Sequence, residues 1–311
     1  MPYLCLALAA MFWGGNYVVG HLLVAHSNPF ILTQARWLIT ALLLCALYWR
    51  PIQRNWSLIR QNFLVVAMLS LFGQVLFPLT LYIGLQYTSS LNAAIYMSTT
   101  PAMVLVINVL IFKEHIHRNS IWGVIFSTLG VVFLLAKGHL SGLAGLASLN
   151  RGDLWTMGSA LSWAFYCAFL RLKNKQINGQ AFVGVSSLLG AIILIPVTLI
   201  ALTVNMPNSI AAYLQWGFLL GLGYLIIFPS WLSYVFWNKG IGEIGATRGE
   251  IYTHIIPLSG GIFSIWFTAV TLHWYHLVSA ALIILGIWLC SKKRQKKLHQ
   301  HPAVADEVES I

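Results

Sequence analysis

The chain has 311 residues, of which 59% are hydrophobic and only 8% charged, and its mean hydropathy is +0.78. Soluble domains carry roughly 25% charged residues, so this chain cannot cover a water-facing surface and lipid must be its main solvent. The formal net charge of +11 is no nucleic-acid signal, because the basic residues lie between hydrophobic runs, where they act as topology determinants. The four cysteines, Cys5, Cys45, Cys167 and Cys290, fall in or beside apolar runs without a CxxC pair. They read as small apolar residues rather than metal ligands or a disulfide. The opening MPYLCLALAAMFW has no Lys or Arg, so it lacks the basic region of a signal peptide and reads as an uncleaved first span.

A spanning helix needs about 20 mostly apolar residues. In chain order that rule gives about ten spans. The first half reads approximately 3–23, 30–49, 62–86, 89–112 and 118–137. The second half reads approximately 153–171, 180–204, 212–238, 245–267 and 273–291. Connections are short and leave no room for a soluble domain. The longest, Lys137 to Gly152, contains LSGLAGLASL and reads as a segment along the interface. The polar tail 292–311 reads as disordered.

The fourth span, SSLNAAIYMSTTPAMVLVINVLIFKE, has a downstream counterpart, GATRGEIYTHIIPLSGGIFSIWFTAV. Tyr96 and Tyr252 lie 156 residues apart, as do Pro101 and Pro257. The same interval pairs Phe72 with Phe228, Gly84 with Gly240, Ile95 with Ile251, Leu129 with Leu285 and Gly130 with Gly286. Trp13 and Trp163 are 150 apart, so about six residues were added in the second half, near Asn205–Ser209. The chain reads as a duplicated unit: residues 1–137 and 153–291 as two repeats, 138–152 as a connector and 292–311 as a basic tail.

Lys and Arg set the expected orientation. Arg50, Arg54, Arg60, Lys113, Arg118, Arg171, Lys173, Lys175, Lys239 and the basic tail fall on one side of the spans. Lys137 and Arg151 fall on the other. That excess marks the cytoplasmic side, with both termini inside. Five spans per repeat put the second copy in upside down. The expected fold class is therefore an all-α integral membrane protein, ten transmembrane helices in two inverted five-helix repeats, with its site near the midplane.

The chain resembles the drug/metabolite transporter superfamily, specifically its EamA-type permeases. The residues carrying the resemblance are the WGGN segment Trp13–Asn16, Arg36, the Tyr96–Pro101 stretch, Glu114, and Gly123 and Gly130 with their second-half echoes. It covers about residues 3–291. It implies ten helices, a central cavity lined by helices 1–4 and 6–9, and transport of small metabolites, often amino-acid export. One departure counts: small multidrug relatives carry a glutamate in their first helix, and here span one has none, so that coupling residue is not carried over.

A charge inside a span costs several kcal/mol and usually faces a cavity or a partner. Arg36, in span two, is the candidate for a substrate carboxylate; a snorkelling or paired arginine is the plainer alternative. Glu250 is the acid placed within a span, and His254, four residues on, would share its helical face. Together they are candidates to relay protons or bind a cationic group. Pro101 and Pro257 lack an N–H, would free carbonyls near Met97 and Thr253, and are the candidate hinges. Asn16, Gln74, Tyr82, Tyr96, Trp163 and Trp237 are the candidate pocket, since polar groups in spans point inward; Trp13, Tyr17, Trp37, Tyr166, Trp231, Tyr234 and Asn238 accompany them. The alternative for each tryptophan is an interfacial belt. Glu114 reads as a capping or ion-pair residue.

There is no Walker motif and no HExxH, so no cofactor and no metal is expected, and no enzyme. The expected function is a secondary transporter of the inner (plasma) membrane working by alternating access on a small-molecule substrate. An exporter of amino acids or related metabolites is favoured. A multidrug, nucleotide-like or sugar permease is the alternative, with a membrane-embedded enzyme or a sensor as rivals of another class. Its expected partners are the bilayer and, as candidate coupling ions, protons. No nucleic acid is expected, and one chain suffices to enclose a pathway.

Overall fold

The computed structural model describes residues 1–136, 138–139, 150–204, 211–268 and 273–291. Lys137, most of the connector 138–152, the Asn205–Ser209 insertion and the tail 292–311 lie outside the described residues. Everything described is helix or connecting turn. The helices are α1 (Pro2–Val24), α2 (Pro29–Leu47), α3 (Trp49–Gln61), α4 (Phe63–Leu85), α5 (Ser90–Met97), α6 (Thr100–Leu110) and α7 (Arg118–Leu135). After the connector come α8 (Arg151–Phe169), α9 (Gly179–Val204), α10 (Trp216–Ile244), α11 (Ile255–Thr268) and α12 (Trp274–Ser291). Among the described residues five helices, α1, α2, α4, α9 and α10, are long and apolar enough to cross a membrane unaided.

The helix starts are written locally. Asn28 accepts from the Phe30 amide at 2.9 Å, and Pro29 opens α2, where a missing N–H costs nothing. Asn150 and Asp153 form a reciprocal capping box at the start of α8, with bonds of 3.0 and 2.9 Å. Leu42, Leu64, Leu110, Ile200, Leu220 and Leu277 are widely exposed on the outer surface. Such a girdle would aggregate in water; in lipid it is simply solvated.

Two local features depart from the sequence reading. Residues 49–61, read as a basic connection, wind into α3. Ile52 and Ile59 are buried two turns apart, while Trp56, Arg54 and Arg60 are exposed. An amphipathic helix has low average hydropathy and escapes a span rule. The proline breaks also sit differently. α5 ends at Met97 and α6 begins at Thr100, so Pro101 lies in a first turn rather than mid-helix. The Met97 carbonyl accepts from the Thr100 hydroxyl and is not free. Before Pro257 the chain winds as a short turn, Ala246–Gly249, and a 3-10 stretch, Glu250–His254.

Early and late parts of the chain interleave. α1 packs on α10 and α11, α2 on α9, α4 on α8 and α7 on α12. Small residues let these backbones meet. A Cβ built on Gly286 of α12 would lie 2.5 Å from the Gly123 carbonyl oxygen of α7. Backbone cannot move aside as a side chain can. Gly286→Ala is therefore expected to cost about 1–3 kcal/mol and to lower the melting temperature of the purified protein. Gly158→Ala, which meets nothing within 4 Å, should leave it unchanged. Equal melting of the two variants would show that the α7–α12 contact is loose.

Candidate functional site

The site is built where α4 and α10 change pitch. Leu71–Leu76 of α4 and Ile226–Leu232 of α10 wind as π-helix. Wider turns offset the i→i−4 ladder and present groups that a straight helix keeps to itself, which is why π segments recur at functional sites. The Gly73 carbonyl in the first accepts from the Tyr234 hydroxyl. The Pro229 carbonyl in the second accepts from Trp13 Nε1 at 3.0 Å. Ser230, one residue on, donates to the Leu225 carbonyl at 2.7 Å.

Arg36 lies two turns into α2 and is 0% exposed. Its Nε donates to Ser230 Oγ, and its Nη1 to Asn16 Oδ1 at 3.1 Å and to the Tyr82 hydroxyl. The Tyr82 hydroxyl in turn donates to Asn16 Oδ1 at 2.9 Å. The guanidinium carbon stands 5.3 Å from the Trp37 ring centre and 5.8 Å from that of Tyr82. All its acceptors are neutral. Among the described residues the ion pair is Glu114 with Arg171, a solvent-touched contact at the bundle's edge. Three donors near Arg36 have no partner: its own Nη2, Asn16 Nδ2 and Trp37 Nε1. Buried polar groups are normally paired, and a desolvated charge costs several kcal/mol. Unsatisfied donors around a buried cation have the chemistry to accept an anion.

Glu250 is also 0% exposed. Trp163 Nε1 donates to its Oε1 at 3.1 Å, and the Cys167 thiol lies within reach of the carboxylate. Beside it Trp237 Nε1 donates to Cys167 Sγ at 3.3 Å. His254 does not join Glu250. A 3-10 helix has three residues per turn, so residue i+4 is turned about 120° away rather than stacked on the same face. The His254 Nε2 meets the Ser98 carbonyl at 2.7 Å, which places the proton on that nitrogen, and Nδ1 is unpartnered.

Aromatic rings separate the two charges. Trp13 stands edge-on to Trp163 at 4.8 Å and to Trp237 at 5.0 Å. Tyr234 bridges to Trp163 at 5.8 Å and to Trp37 at 5.3 Å. All five rings are essentially buried, so none belongs to an interfacial belt.

The structure thus brings Asn16, Arg36 and Tyr82 together, and Trp163, Trp237 and Glu250 together. Gln74 goes elsewhere: its amide meets Ser186 Oγ at 3.3 Å, and with nitrogen and oxygen exchanged it also donates to the Ser70 and Leu69 carbonyls. Tyr96 stays part-exposed on α5. Glu114 accepts from Arg171 and from Thr247 at 2.9 Å, rather than from its neighbour Lys113. Sequence reasoning missed Ser230 and Cys167. A serine directly after an in-span proline was the available signal for Ser230; Cys167 gave none.

The hydrogen bonds repeat across the chain. Asn16 and Tyr82 form one pair; Tyr166 and Asn238 form another, at 2.6 Å. Tyr166 lies 150 residues beyond Asn16, and Asn238 lies 156 beyond Tyr82. Amide and phenol have exchanged places while the contact is kept. Arg36 bonds Ser230, and Ser186 meets Gln74. Ser186 is 150 beyond Arg36, and Ser230 is 156 beyond Gln74. Both intervals are those already marked by Trp13/Trp163 and Tyr96/Tyr252.

Tyr82→Phe removes a hydroxyl that serves both Arg36 and Asn16. It is expected to destabilise the protein by about 1–3 kcal/mol, read as a lower melting temperature in detergent. Tyr87→Phe, at an exposed site, should change nothing; parity between the two would mean the Arg36 cluster is wet.

The EamA-like transporter family matches residues 1–136 and again 150–292. The chain is similar to the uncharacterized transporter YyaM of Bacillus subtilis, 25% identical over 299 residues, covering 93% of each chain. It is 24% identical over 306 residues to the uncharacterized transporter YetK of the same organism, covering 98% of this chain and 91% of that one. An uncharacterized transporter of Archaeoglobus fulgidus is 25% identical, covering 94% and 98%. A solved crystal structure of another protein shares the fold with a TM-score of 0.71 at 16% identity, over 93% of this chain and 96% of that one.

Proposed function

The chain belongs to the EamA-like transporter family and is a multi-pass membrane transporter; from that premise we propose that it carries a small metabolite bearing a carboxylate, an amino acid being the reading best supported. The observation behind this is the Arg36 cluster: a buried cation with neutral acceptors and three unpaired donors. A carboxylate offers two oxygens to a guanidinium that still has a free nitrogen. The Trp13, Trp37 and Trp163 rings suit an amphipathic body.

On this proposal the ten apolar rods, α1, α2, α4, α5 with α6, α7, α8, α9, α10, α11 and α12, are two inverted five-helix repeats, residues 1–137 and 153–291. The repeated hydrogen-bond pairs and the twofold family match support the duplication. The halves would rock about the aromatic core by alternating access, with Pro101 and Pro257 at the hinges. Both termini would face the cytoplasm across the inner membrane, following the basic residues. One chain would be the working unit, export its direction, and Glu250 its link to a proton gradient.

Two measurements test this. In proteoliposomes preloaded with mixed amino acids, counterflow of a labelled amino acid should fall at least about tenfold in Arg36→Ala, the loss expected when a charged hydrogen-bond partner is removed. Unchanged counterflow in the folded variant would remove Arg36 from the site. An imposed proton gradient should accelerate wild-type uptake but not that of Glu250→Gln; equal acceleration of both would remove Glu250 from coupling.

A further inference from the structure

We propose that α3 is a docking site for an anionic glycerophospholipid, with the lipid phosphate at Arg60 and the rings of Trp49 and Trp56 at the acyl boundary. The site stands apart from the substrate and does not depend on what is carried.

Placement comes first. α2 and α4 are each long and apolar enough to cross a membrane, and α3 joins the end of one to the start of the other. It therefore lies at a membrane face, whichever way the chain is inserted. Helical geometry breaks at both its ends, at Tyr48 (φ −108°, ψ 20°) and Asn62 (φ −108°, ψ 22°), so α3 extends neither span.

One side of α3 is taken by protein. Ile52 and Ile59 are buried, and a Cβ built on Gly184 of α9 would lie 3.0 Å from Ile52 Cδ1. The Asn178 amide donates to Asn55 Oδ1 at 3.0 Å. That bond ties the turn before α9, with its exposed Lys175, to α3.

The other sides are open. Trp49 is 57% exposed and Trp56 51%. Each stands three residues before a buried isoleucine, about 60° round the helix from it. Leu47 before α3 and Leu64 after it are exposed as well, so the indole rings continue the lipid-facing girdle. Arg50 and Arg54 stand two residues to either side of Ile52, on the far side from the core, and both are exposed. Aromatic rings on one flank and arginines on another suit a helix lying in the interface.

Charge selects the lipid. Residues 1–113 and 170–204, which include every helix joined to or packed on α3, contain no Asp or Glu. Among the described residues Arg50, Arg54 and Arg60 have no ion pair and no side-chain hydrogen bond. Trp56, Ser57, Arg60 and Gln61 line a shallow open hollow. It offers guanidinium, hydroxyl and amide donors beside an indole ring, which is the chemistry of a phosphate site. A zwitterionic headgroup would bring its own ammonium among the arginines; a headgroup with a neutral alcohol brings none. An acidic peptide would match the arginines and leave the indole rings in water, whereas a lipid satisfies both.

Native mass spectrometry of the full chain in detergent, with phosphatidylglycerol or phosphatidylcholine added, tests this. Phosphatidylglycerol should bind the more tightly. Its affinity should fall on the order of a hundredfold in the triple variant Arg50→Gln, Arg54→Gln, Arg60→Gln. It should be unchanged in Lys113→Gln, Arg118→Gln, Lys239→Gln, which removes three exposed cations elsewhere. All six side chains are exposed, so melting in lipid-free detergent should match the wild type and exclude misfolding as the cause. Equal loss in both triple variants would show diffuse attraction to net charge and overturn the site. Equal affinity for the two lipids would overturn the anionic headgroup. Displacement of phosphatidylglycerol by an equal concentration of glycerol 3-phosphate would show a site for free phosphate and overturn the lipid. Binding that emerges only in Asp306→Asn, Glu307→Gln, Glu309→Gln would make the acidic tail the occupant of α3 and overturn the assignment.

Discussion

A buried guanidinium without a counter-ion organises this molecule. Taking a charge out of water costs several kcal/mol, and neutral hydrogen-bond acceptors recover part of it. Arg36 recruits those acceptors from three helices: Asn16 on α1, Tyr82 on α4 and Ser230 on α10. Each must be held at the right depth. The π turn of α10 sets Ser230, the packing of α1 on α10 sets Asn16, and the helix face of α4 sets Tyr82. A shift of any of them leaves a charge in the apolar core with one acceptor fewer. The arrangement is thus a register device and, on the proposed reading, a binding device as well.

The proposed duplication matters here because the matching stretches keep contacts while exchanging chemistry. The Asn16–Tyr82 pair and the Tyr166–Asn238 pair occupy matching positions with donor and acceptor types reversed. Charge, by contrast, is not repeated. Ser186 stands where the other copy has Arg36, and Ala94 where it has Glu250. The neutral hydrogen bonds recur in both stretches; beside them the first places Arg36 and the second Glu250. On the proposed reading a shared frame that can rock either way carries one buried cation, Arg36, toward the solute.

Much of this was legible in the sequence, for identifiable reasons. Low charge content and apolar runs give the membrane setting directly. Fixed intervals point to the duplication proposed above. Arg36 and Glu250 stand out because ionised groups are rare in such runs. What was not legible depends on pitch and on contacts between distant segments. No residue pattern announces a π turn, so Ser230 was passed over. A 3-10 stretch looks like helix in a sequence, so Glu250 and His254 were expected on one face and instead diverge. α3 was hidden because an amphipathic helix averages its apolar and basic faces. Pro101 was placed mid-helix because the break at Met97–Thr100 precedes it by a few residues.

On the proposed reading Arg36 stays uncompensated so that a solute's carboxylate can complete it. Isothermal titration calorimetry of the purified protein tests this without transport, by comparing the amino acid that exchanges best in counterflow with its amide, whose carboxylate is replaced by a neutral carboxamide. The amide is expected to bind at least about tenfold more weakly, a difference of about 1.4 kcal/mol. Equal affinity for acid and amide would contradict it, and Arg36 would then be a structural cation with its partners already complete.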